Sequence, residues 1–354
     1  MCLHPGGTMI TPRENRLRAL EFCDPEWIPC SLNTAEMYWW TYGDALQELS
    51  AHYPKAYLEK ELVKPSIDLD QVPTGHKPGS TYRDDWGILW KVGLGTTGSI
   101  SVEHPLSDWS ALDSYHAPDP MGPPEEGGTD WAKEEERIRR DVERGLLASG
   151  YGGDIFTFLI ALRGYEALML DFATSDPHLE RALDMLVETY LERIHKYLAL
   201  GVDVVNFHSD LGTQRSLAIS PDAFRRYIVP RFQRMMLPCR EAGAHVFLSS
   251  DGYMLDIVDD LVACGVSCHD PQISANGLAG IKAAYQGKMC AKIRLDPQSL
   301  PFVSTGEIRE MVRAAVEELA TPEGGVWLDT NLCTADVPME NLAAICQAYE
   351  EFCF

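Results

Sequence analysis

Short apolar runs alternate along this chain with longer segments in which apolar residues recur every three or four positions. The short runs predict β-strands, and the longer segments predict amphipathic α-helices. Because strands and helices alternate, the strands are expected to be parallel. Eight strands favour a closed (β/α)8 TIM barrel of the α/β class, with a doubly wound open sheet as the alternative. The predicted strands are 27–33, 66–70, 154–160, 203–208, 245–249, 266–270, 289–294 and 326–330.

One segment departs from this alternation. Residues 72–130 are rich in Pro, Gly and Asp and contain short alternating runs, so they are predicted to form hairpins inserted into the barrel. Residues 1–10 are expected to be a leader, and residues 11–354 a single barrel domain. Thr11 and Pro12 are predicted to begin a helix that runs through Phe22. The other main predicted helices are 131–149, 177–200, 221–242 and 307–320.

Polar side chains follow most of the predicted strands. After the apolar strand 203–208, His208 is followed by Ser209, Asp210 and, four residues later, Gln214. His208 and Asp210 are two residues apart, so in an extended chain they project to the same side. Since the carboxyl ends of barrel strands converge on one mouth, the sequence predicts a polar ring there. Its members are Asn33, His208, Asp210, Ser249, Asp251, His269, Asp270, Gln272, Asp296, Gln298 and Asn331.

We expect this ring to bind a polar substrate, to move a proton or to coordinate a metal. The alternative is structural: Asp and Asn cap helices and form turns, and a histidine can be satisfied by a backbone carbonyl. Tyr38, Trp39 and Trp40 are predicted either to hold a planar ligand or to pack the core. The predicted catalytic residues are Asp210, His208 and Asp251. The predicted substrate-binding residues are Asn33, Tyr38, Trp39, Gln214, His269, Gln272, Arg294, Asp296 and Asn331.

Two short motifs are interpreted as structural. Gly93-Leu-Gly95-Thr-Thr-Gly98 has the spacing of a dinucleotide-binding fingerprint, but a strand-like run follows it instead of a helix. It is therefore predicted to be a hairpin turn. Cys264 and Cys268 precede His269, yet no second pair with zinc-site spacing is found, so buried structural thiols are expected.

Composition excludes two classes of partner. The chain has 354 residues and a formal net charge of −23, whereas nucleic acids and anionic membranes require a basic face. No secretory signal and no membrane-spanning run are recognised, and the ten cysteines lack framework spacing. A cytoplasmic protein with reduced thiols, acting on a small molecule or docking a partner protein, is expected.

The order of several motifs resembles the uroporphyrinogen decarboxylase superfamily, and within it the related corrinoid methyltransferases. The resemblance extends from Thr11-Pro-Arg-Glu-Asn15 through Asp85-Trp-Gly87 to the carboxyl terminus and implies a (β/α)8 barrel. The later motifs that carry it are Asp210-Leu-Gly-Thr-Gln214, Ile219-Ser-Pro221, Ser250-Asp-Gly252, Asp270-Pro-Gln272, Asp296-Pro-Gln298 and Asp336-Val-Pro338.

Two departures from the family patterns narrow the expected function. The porphyrinogen decarboxylases carry an arginine-rich segment after the first strand, where residues 31–40 of this chain contain no arginine. Decarboxylation of uroporphyrinogen is therefore not expected. The zinc-dependent methyltransferases carry a His-x-Cys pair where this chain has Ser249-Ser-Asp251. A metal site is thus expected to be absent or altered, with His208, Asp210, Asp251, His269 and Cys333 as candidate ligands.

The resemblance implies a methyltransferase component that moves a methyl group between a small methylated substrate, such as a methoxylated aromatic, and a corrinoid (cobalamin). No cobalamin-binding module is recognised in the chain, so the corrinoid is expected on a partner protein. A homodimer is also compatible with the resemblance. Two alternatives stay open: a decarboxylase or other lyase acting on a small carboxylate, with Arg163, Arg215, Lys292 and Arg294 as candidate ligands, and a non-catalytic ligand-binding barrel.

Overall fold

The computed structural model describes residues 10–58, 77–93, 98–124, 127–333 and 335–354. The strands are β1 (Cys30–Thr34), β2 (Thr81–Arg83), β3 (Leu89–Val92), β4 (Ser99–Glu103), β5 (Ser149–Gly153), β6 (Val204–His208), β7 (His245–Ser249), β8 (Cys268–His269), β9 (Cys290–Ile293) and β10 (Val326–Leu332). The helices are α1 (Pro12–Glu21), α2 (Glu36–Tyr42), α3 (Ala45–His52), α4 (Trp131–Glu143), α5 (Phe156–Arg163), α6 (Tyr165–Thr174), α7 (His178–Ala199), α8 (Pro221–Ala223), α9 (Val229–Glu241), α10 (Val258–Ala263), α11 (Ile273–Asn276), α12 (Leu278–Tyr285), α13 (Thr305–Leu319) and α14 (Met339–Phe352).

The chain divides into two compact units. Unit 1 comprises Met1–Ser66, Asp141–Leu147 and Ser267–Phe354, and unit 2 comprises Ile67–Arg140 and Ala148–Val266. In unit 1 the parallel strands follow the order β1-β10-β9-β8. In unit 2 the parallel strands follow the order β5-β6-β7, and a separate antiparallel sheet has the order β2-β3-β4.

In the described residues, seven parallel strands alternate with helices, which gives an α/β, TIM-barrel-like fold, as the sequence predicts. Six of the predicted strands are confirmed, with boundaries shifted by up to three residues: β1, β6, β7, β8, β9 and β10. The predicted strand at 66–70 and the predicted leader, apart from residue 10, lie outside the described residues.

The predicted strand at 154–160 is wrong. Residues Phe156–Arg163 form α5, and the neighbouring strand β5 is instead the glycine-rich segment Ser149–Gly153. A short apolar run suits a buried helix as well as a buried strand, so periodicity alone could not separate them. The predicted helix at 131–149 accordingly ends early, at Glu143.

Helix boundaries follow the capping chemistry of the sequence. The Thr11 hydroxyl accepts a hydrogen bond from the Glu14 backbone N–H at the start of α1. At the start of α13, Ser304 and Glu307 form a reciprocal capping box. The predicted helix at 221–242 is confirmed as a continuous helical segment that contains one π-turn, Phe224–Ile228, between α8 and α9.

The predicted hairpins of residues 72–130 are present where that segment is described. Strands β3 and β4 pair antiparallel, with Val92 opposite Ser99. The Gly93 N–H donates to the Gly98 carbonyl over 2.9 Å, which closes a turn at the fingerprint-like motif. This part of the chain is therefore a hairpin, as predicted, although residues 94–97 lie outside the described part.

In the described part of the chain, none of the helices combines the length and apolar character needed to cross a membrane. Cys264 and Cys268 are buried free thiols, as the sequence predicts.

Glycine is required in β5 because aromatic rings occupy the positions of its side chains. A Cβ at Gly150 would lie 2.3 Å from Cγ of Tyr197, and a Cβ at Gly153 would lie 2.3 Å from Cγ of Tyr190. Both tyrosines belong to α7. The absence of a Cβ atom at Gly150 and Gly153 therefore lets α7 pack directly against the backbone of β5.

We predict that Gly150→Ala lowers the free energy of unfolding by about 1–3 kcal/mol, because the added methyl group overpacks the contact with Tyr197. Chemical denaturation of the purified variant measures this change. Gly306→Ala is the matched control: its Cβ meets only the Ser304 Oγ, at 4.0 Å, so it should leave stability unchanged or raise it slightly. Equal effects of the two substitutions would contradict the packing argument.

Candidate active site

Unit 2 places a group of polar side chains at the carboxyl ends of β5, β6 and β7. Asp154 follows β5, His208 ends β6 with Ser209 and Asp210 after it, and Asp251 follows β7. The ends of adjacent parallel strands lie at one edge of a sheet, which is where α/β folds carry their chemistry. Three of these residues, His208, Asp210 and Asp251, are the predicted catalytic residues.

Asp154 is the buried centre of this group. Its Oδ1 accepts hydrogen bonds from the Ser209 hydroxyl (3.0 Å) and from the Thr157 N–H in the first turn of α5 (2.9 Å). The Thr157 hydroxyl in turn accepts the Asp210 N–H over 2.7 Å. Burial raises the pKa of Asp154 to about 6, against the influence of the nearby His208. This carboxyl group therefore exchanges its proton close to neutral pH.

His208 and Asp210 form an imidazole–carboxylate pair. His208 Nε2 lies 3.5 Å from Asp210 Oδ1, and both side chains are about two-fifths exposed, at 43% and 38%. The sequence expectation that they project to the same side is confirmed. The hydrogen bond and charge of Asp210 raise the pKa of His208, with smaller contributions from Asp154 and Asp251. A raised pKa favours the protonated imidazole, which can donate a proton to a substrate.

The loops after β6 and β7 are locked together at two glycines. A Cβ on Gly252, whose φ is +85°, would lie 2.4 Å from the backbone of Gly212. Three hydrogen bonds join the same loops: Gly212 N–H to the Asp251 carbonyl (3.2 Å), Tyr253 N–H to the Thr213 carbonyl (2.7 Å) and Asp251 N–H to Asp210 Oδ1 (3.3 Å). This contact of two backbones sets the position of Asp210 relative to Asp251.

Unit 1 contains a second polar cluster, built around Asp329 on β10. The buried Asp329 carboxylate accepts hydrogen bonds from the Ser31 hydroxyl (2.5 Å) and the Asn33 amide, and it pairs with the Lys292 ammonium (2.5 Å). Burial alone would raise the pKa of Asp329, but Lys292, Ser31 and Arg16 together lower it. Asp329 is therefore a fully ionised structural anion, unlike Asp154.

Arg294 follows β9 and forms an ion pair with Asp270, which follows β8. The Asp270 side chain is 1% exposed, whereas that of Arg294 is 32% exposed. The buried carboxylate thus holds a guanidinium that still reaches solvent.

Several predicted substrate-binding residues are buried or contact other parts of the protein. His269 is fully buried, and its Nδ1 lies 2.7 Å from the hydroxyl of Tyr285 on α12. Tyr38 and Trp39 are buried, which favours the packing interpretation over an open aromatic wall. Asp296 accepts a hydrogen bond from the Gln298 N–H (3.0 Å), as a turn former does.

The other predicted substrate-binding residues lie nearer to solvent. Gln214 and Asn331 are exposed, Asn33 and Gln272 are half-buried, and the Gln272 carbonyl accepts from the Asn276 amide. Their proposed contacts with a substrate stay predictions.

The donor set does not suit a resident zinc ion. Among the described residues no group of three or more His, Cys, Asp or Glu side chains is arranged to hold a metal. Of the candidate ligands in unit 1, His269 bonds Tyr285 in the core and Cys333 is an exposed free thiol.

Sequence analysis missed the roles of Asp154 and Asp329. Asp154 was placed inside a strand because the apolar run after it was interpreted as extended. The Gly152-Gly153 pair just before Asp154 is the signal that could have indicated a strand end there, since glycine at a strand end often marks a close backbone approach. Asp329 lies within an otherwise apolar strand, and an isolated acid in such a run needs buried partners.

We predict that Asp154→Asn stabilises the protein at pH 7. The folded-state pKa of about 6 lies above the ordinary value of 3.8, so the native state loses stability as pH rises from about 4 to 6. An amide removes this cost and should raise the free energy of unfolding by about 2–3 kcal/mol at pH 7. Chemical denaturation at pH 4 and pH 7 measures it; the gain should vanish at pH 4. Asp176→Asn, at a site where hydrogen bonding to His178 lowers the pKa of the carboxyl group, should give no gain at pH 7.

We also predict that the pKa of His208 lies above 6.5 and falls on Asp210→Asn, because Asp210 is the main group that raises it. Titration of the His208 ring signals by NMR measures both values. Asp251→Asn is the control and should lower the pKa of His208 by less, since its charge contributes least. A larger effect of Asp251→Asn would show that the pairing is wrongly assigned.

Some solved structures are similar to this chain. None of the curated proteins matches the chain significantly. Among solved structures, a methyltransferase from Methanosarcina mazei has a TM-score of 0.66 and 18% identity, over 97% of this chain and 99% of that one. A B12-independent methionine synthase from Shewanella sp. W3-18-1 has a TM-score of 0.43 and 10% identity, over 63% of this chain and 67% of that one. A dihydropteroate synthase from Xanthomonas albilineans has a TM-score of 0.33 and 14% identity, over 55% of this chain and 64% of that one.

The first of these similarities shows a shared fold over nearly the whole of both chains. The family relationship comes from the sequence itself. The model of the uroporphyrinogen decarboxylase (URO-D) family matches residues 87–352. This range includes every polar residue of the unit 2 site. It also includes the Asp329 and Arg294 clusters of unit 1, except for Arg16, Ser31 and Asn33. This chain therefore belongs to the uroporphyrinogen decarboxylase family.

Proposed function

We propose that this protein is a methyltransferase that moves a methyl group from a small methylated donor to the cobalt of a corrinoid carried by a partner protein. The observation that carries the proposal is the His208–Asp210 pair beside the buried Asp154. Asp210 raises the pKa of His208, and burial raises the pKa of Asp154 to about 6, so this group of side chains is suited to donating a proton. Family membership and the fold shared with a methyltransferase support it. The acidic composition is compatible with docking a partner protein.

The chemistry of the donor explains why a proton is needed. In a methyl ether the bond between the methyl carbon and oxygen must break, and the departing alkoxide or phenolate is basic. A corrinoid bound by the partner protein would accept the methyl group. His208 is suited to donate a proton to the departing oxygen from the ring nitrogen that does not face Asp210. Asp210 stabilises the imidazolium before this transfer, and solvent restores the proton afterwards, since His208 is 43% exposed. Atoms and charge balance: the ether, a proton and reduced corrinoid give an alcohol or phenol and methylcorrinoid.

Asp154 has a supporting role in this scheme. Its carboxyl group positions Ser209 and the first turn of α5, whose Thr157 hydroxyl accepts the Asp210 N–H. It also places a carboxyl group of variable charge beside His208, which couples the two protonation states. The acid and its orienting carboxylate are thus supported by a fixed hydrogen-bond network.

The lyase alternative is favoured by one observation, the solvent-reaching guanidinium of Arg294. A decarboxylase of a small acid would bind the carboxylate with an arginine and protonate the resulting carbanion. The two reactions differ in their products, carbon dioxide in one and methylcorrinoid in the other.

The test is an anaerobic assay of the protein with cob(I)alamin and a panel of methoxylated aromatics and other methyl donors. Protein-dependent formation of methylcobalamin supports the proposal. His208→Gln and Asp210→Asn should each lower kcat by about 100-fold or more, as expected for loss of a general acid. In the wild type the rate should fall as pH rises above the pKa of His208, and Asp210→Asn should move that fall to lower pH.

His178→Gln is the matched control, because His178 and Asp176 form an exposed pair of the same type, with 2.8 Å between Nδ1 and Oδ1. It should leave the rate unchanged. Carbon dioxide release from small carboxylic acids without methylcobalamin would favour the lyase. Failure of both assays with candidate corrinoid partners present would reject the proposal.

A further inference from the structure

The hairpin of β2 and β3 in unit 2 presents a tryptophan in a tight turn. The Gly87 N–H donates to the Asp84 carbonyl over 2.9 Å, which closes a β-turn with Trp86 as its third residue. The Asp84 carboxylate also accepts the Trp90 indole N–H (2.7 Å), and the Trp86 carbonyl accepts the Tyr115 hydroxyl (2.7 Å). These bonds hold the turn, so the protein positions Trp86 without help from a ligand.

The inserted sheet lies against α5, and Trp86 contacts the first turn of that helix. After β4, the Leu106 N–H donates to the Leu162 carbonyl over 2.9 Å, near the carboxyl end of α5. Near the amino end, the ring centres of Trp86 and Phe158 are 4.7 Å apart and the ring planes meet at 73°. The two rings therefore form an edge-to-face pair.

Phe158 lies outside the core face of α5. The helix buries Phe156, Leu159 and Leu162 completely, at three-residue spacing. Phe158 lies about 200° further around the helix than Phe156 and is half-buried, as is Trp86. An edge-to-face contact covers at most one face of one ring, so this pair retains aromatic surface that a ligand can reach.

The aromatic pair is adjacent to the acid group of unit 2. Phe158 directly follows Thr157, whose hydroxyl accepts the Asp210 N–H (2.7 Å) and whose N–H donates to Asp154 (2.9 Å). The first turn of α5 follows β5, so it lies at the carboxyl edge of the sheet, where His208 ends β6. The pair thus begins one residue away from the network that positions the proton donor.

We propose that Trp86 and Phe158 form a subsite for the aromatic ring of a small ligand, the methyl donor. An aromatic ring gains stacking or edge-to-face contacts with this pair, whereas a saturated ring of the same size gains only the burial of its surface. A phenolate is also a less basic leaving group than an alkoxide, so an aromatic ether demands less of the His208 acid. Assigning the ring to the methyl donor rests on the proposed function, whereas the subsite itself does not.

The test measures binding without any corrinoid. Titration by saturation-transfer difference NMR compares 2-methoxyphenol with 2-methoxycyclohexanol, which carry the same substituents on an aromatic and on a saturated ring. The wild type should bind 2-methoxyphenol at least about threefold more tightly than its saturated analogue. If the pair serves only to anchor the hairpin on α5, the two ligands should bind equally or not at all.

Trp86→Leu and Phe158→Leu each remove one ring but keep an apolar side chain, and each should abolish the preference for the aromatic ligand. Trp86→Phe keeps a ring and should retain part of the preference, which separates the loss of aromatic contact from a loss of folding. The matched control is Trp131→Leu, because Trp131 forms an edge-to-face pair with Tyr197 in the same unit, with 5.0 Å between ring centres. It should leave the preference unchanged.

Four results would overturn the subsite. They are equal binding of the two ligands by the wild type, no binding of either, an unchanged preference in Trp86→Leu or Phe158→Leu, and an equal loss of preference in Trp131→Leu.

The methyl-transfer assay decides whether the bound ring belongs to the methyl donor. If 2-methoxyphenol is demethylated and Trp86→Leu raises its KM with little change in kcat, the subsite serves the donor. If 2-methoxyphenol binds through Trp86 but no donor is demethylated, the proposed function fails while the aromatic subsite stands. If it is demethylated with an unchanged KM in Trp86→Leu, the assignment of the subsite to the donor fails while the proposed function stands.

Discussion

The buried carboxyl group of Asp154 is the interaction on which the unit 2 site depends. It joins the first turn of α5 to the segment after β6, through hydrogen bonds from Thr157 and Ser209. Thr157 then accepts the Asp210 N–H, so the position of the His208–Asp210 pair follows from this network. Burying a carboxyl group costs free energy unless its charge is compensated, and the raised pKa of Asp154 expresses that cost. Groups of this kind concentrate at functional sites.

The two units treat a buried carboxyl group in opposite ways. Asp154 meets hydroxyl and backbone donors, and burial raises its pKa to about 6. Asp329 is equally removed from water but meets the Lys292 ammonium, which together with Ser31 and Arg16 lowers its pKa. The difference is the presence of a directly bonded cation. One carboxyl group is thereby able to exchange a proton near neutral pH, and the other is a permanent anion that positions cations around it.

Close backbone contacts determine where these groups lie. The loops after β6 and β7 touch at Gly212 and Gly252, and β5 touches α7 through its glycines. In both places a side chain would occupy space that another part of the chain fills. The tertiary arrangement thus needs glycine at sites far apart in sequence. These close contacts fix the loops and, with them, the positions of the neighbouring polar residues.

The sequence by itself determined the alternation of strands and helices, their capped ends and the placement of His208 and Asp210 on the same side of the chain, because these depend on residues close together in the chain. It did not distinguish the buried helix at 156–163 from a strand, since a short apolar run suits both. Only the tertiary structure decided that Asp154 is buried beside Ser209, that His269 bonds Tyr285 in the core, and that Asp329 collects Lys292 and Ser31. These outcomes depend on which residues pack against each face of a strand and on how far each side chain is removed from water. Both are set by contacts between residues distant in sequence.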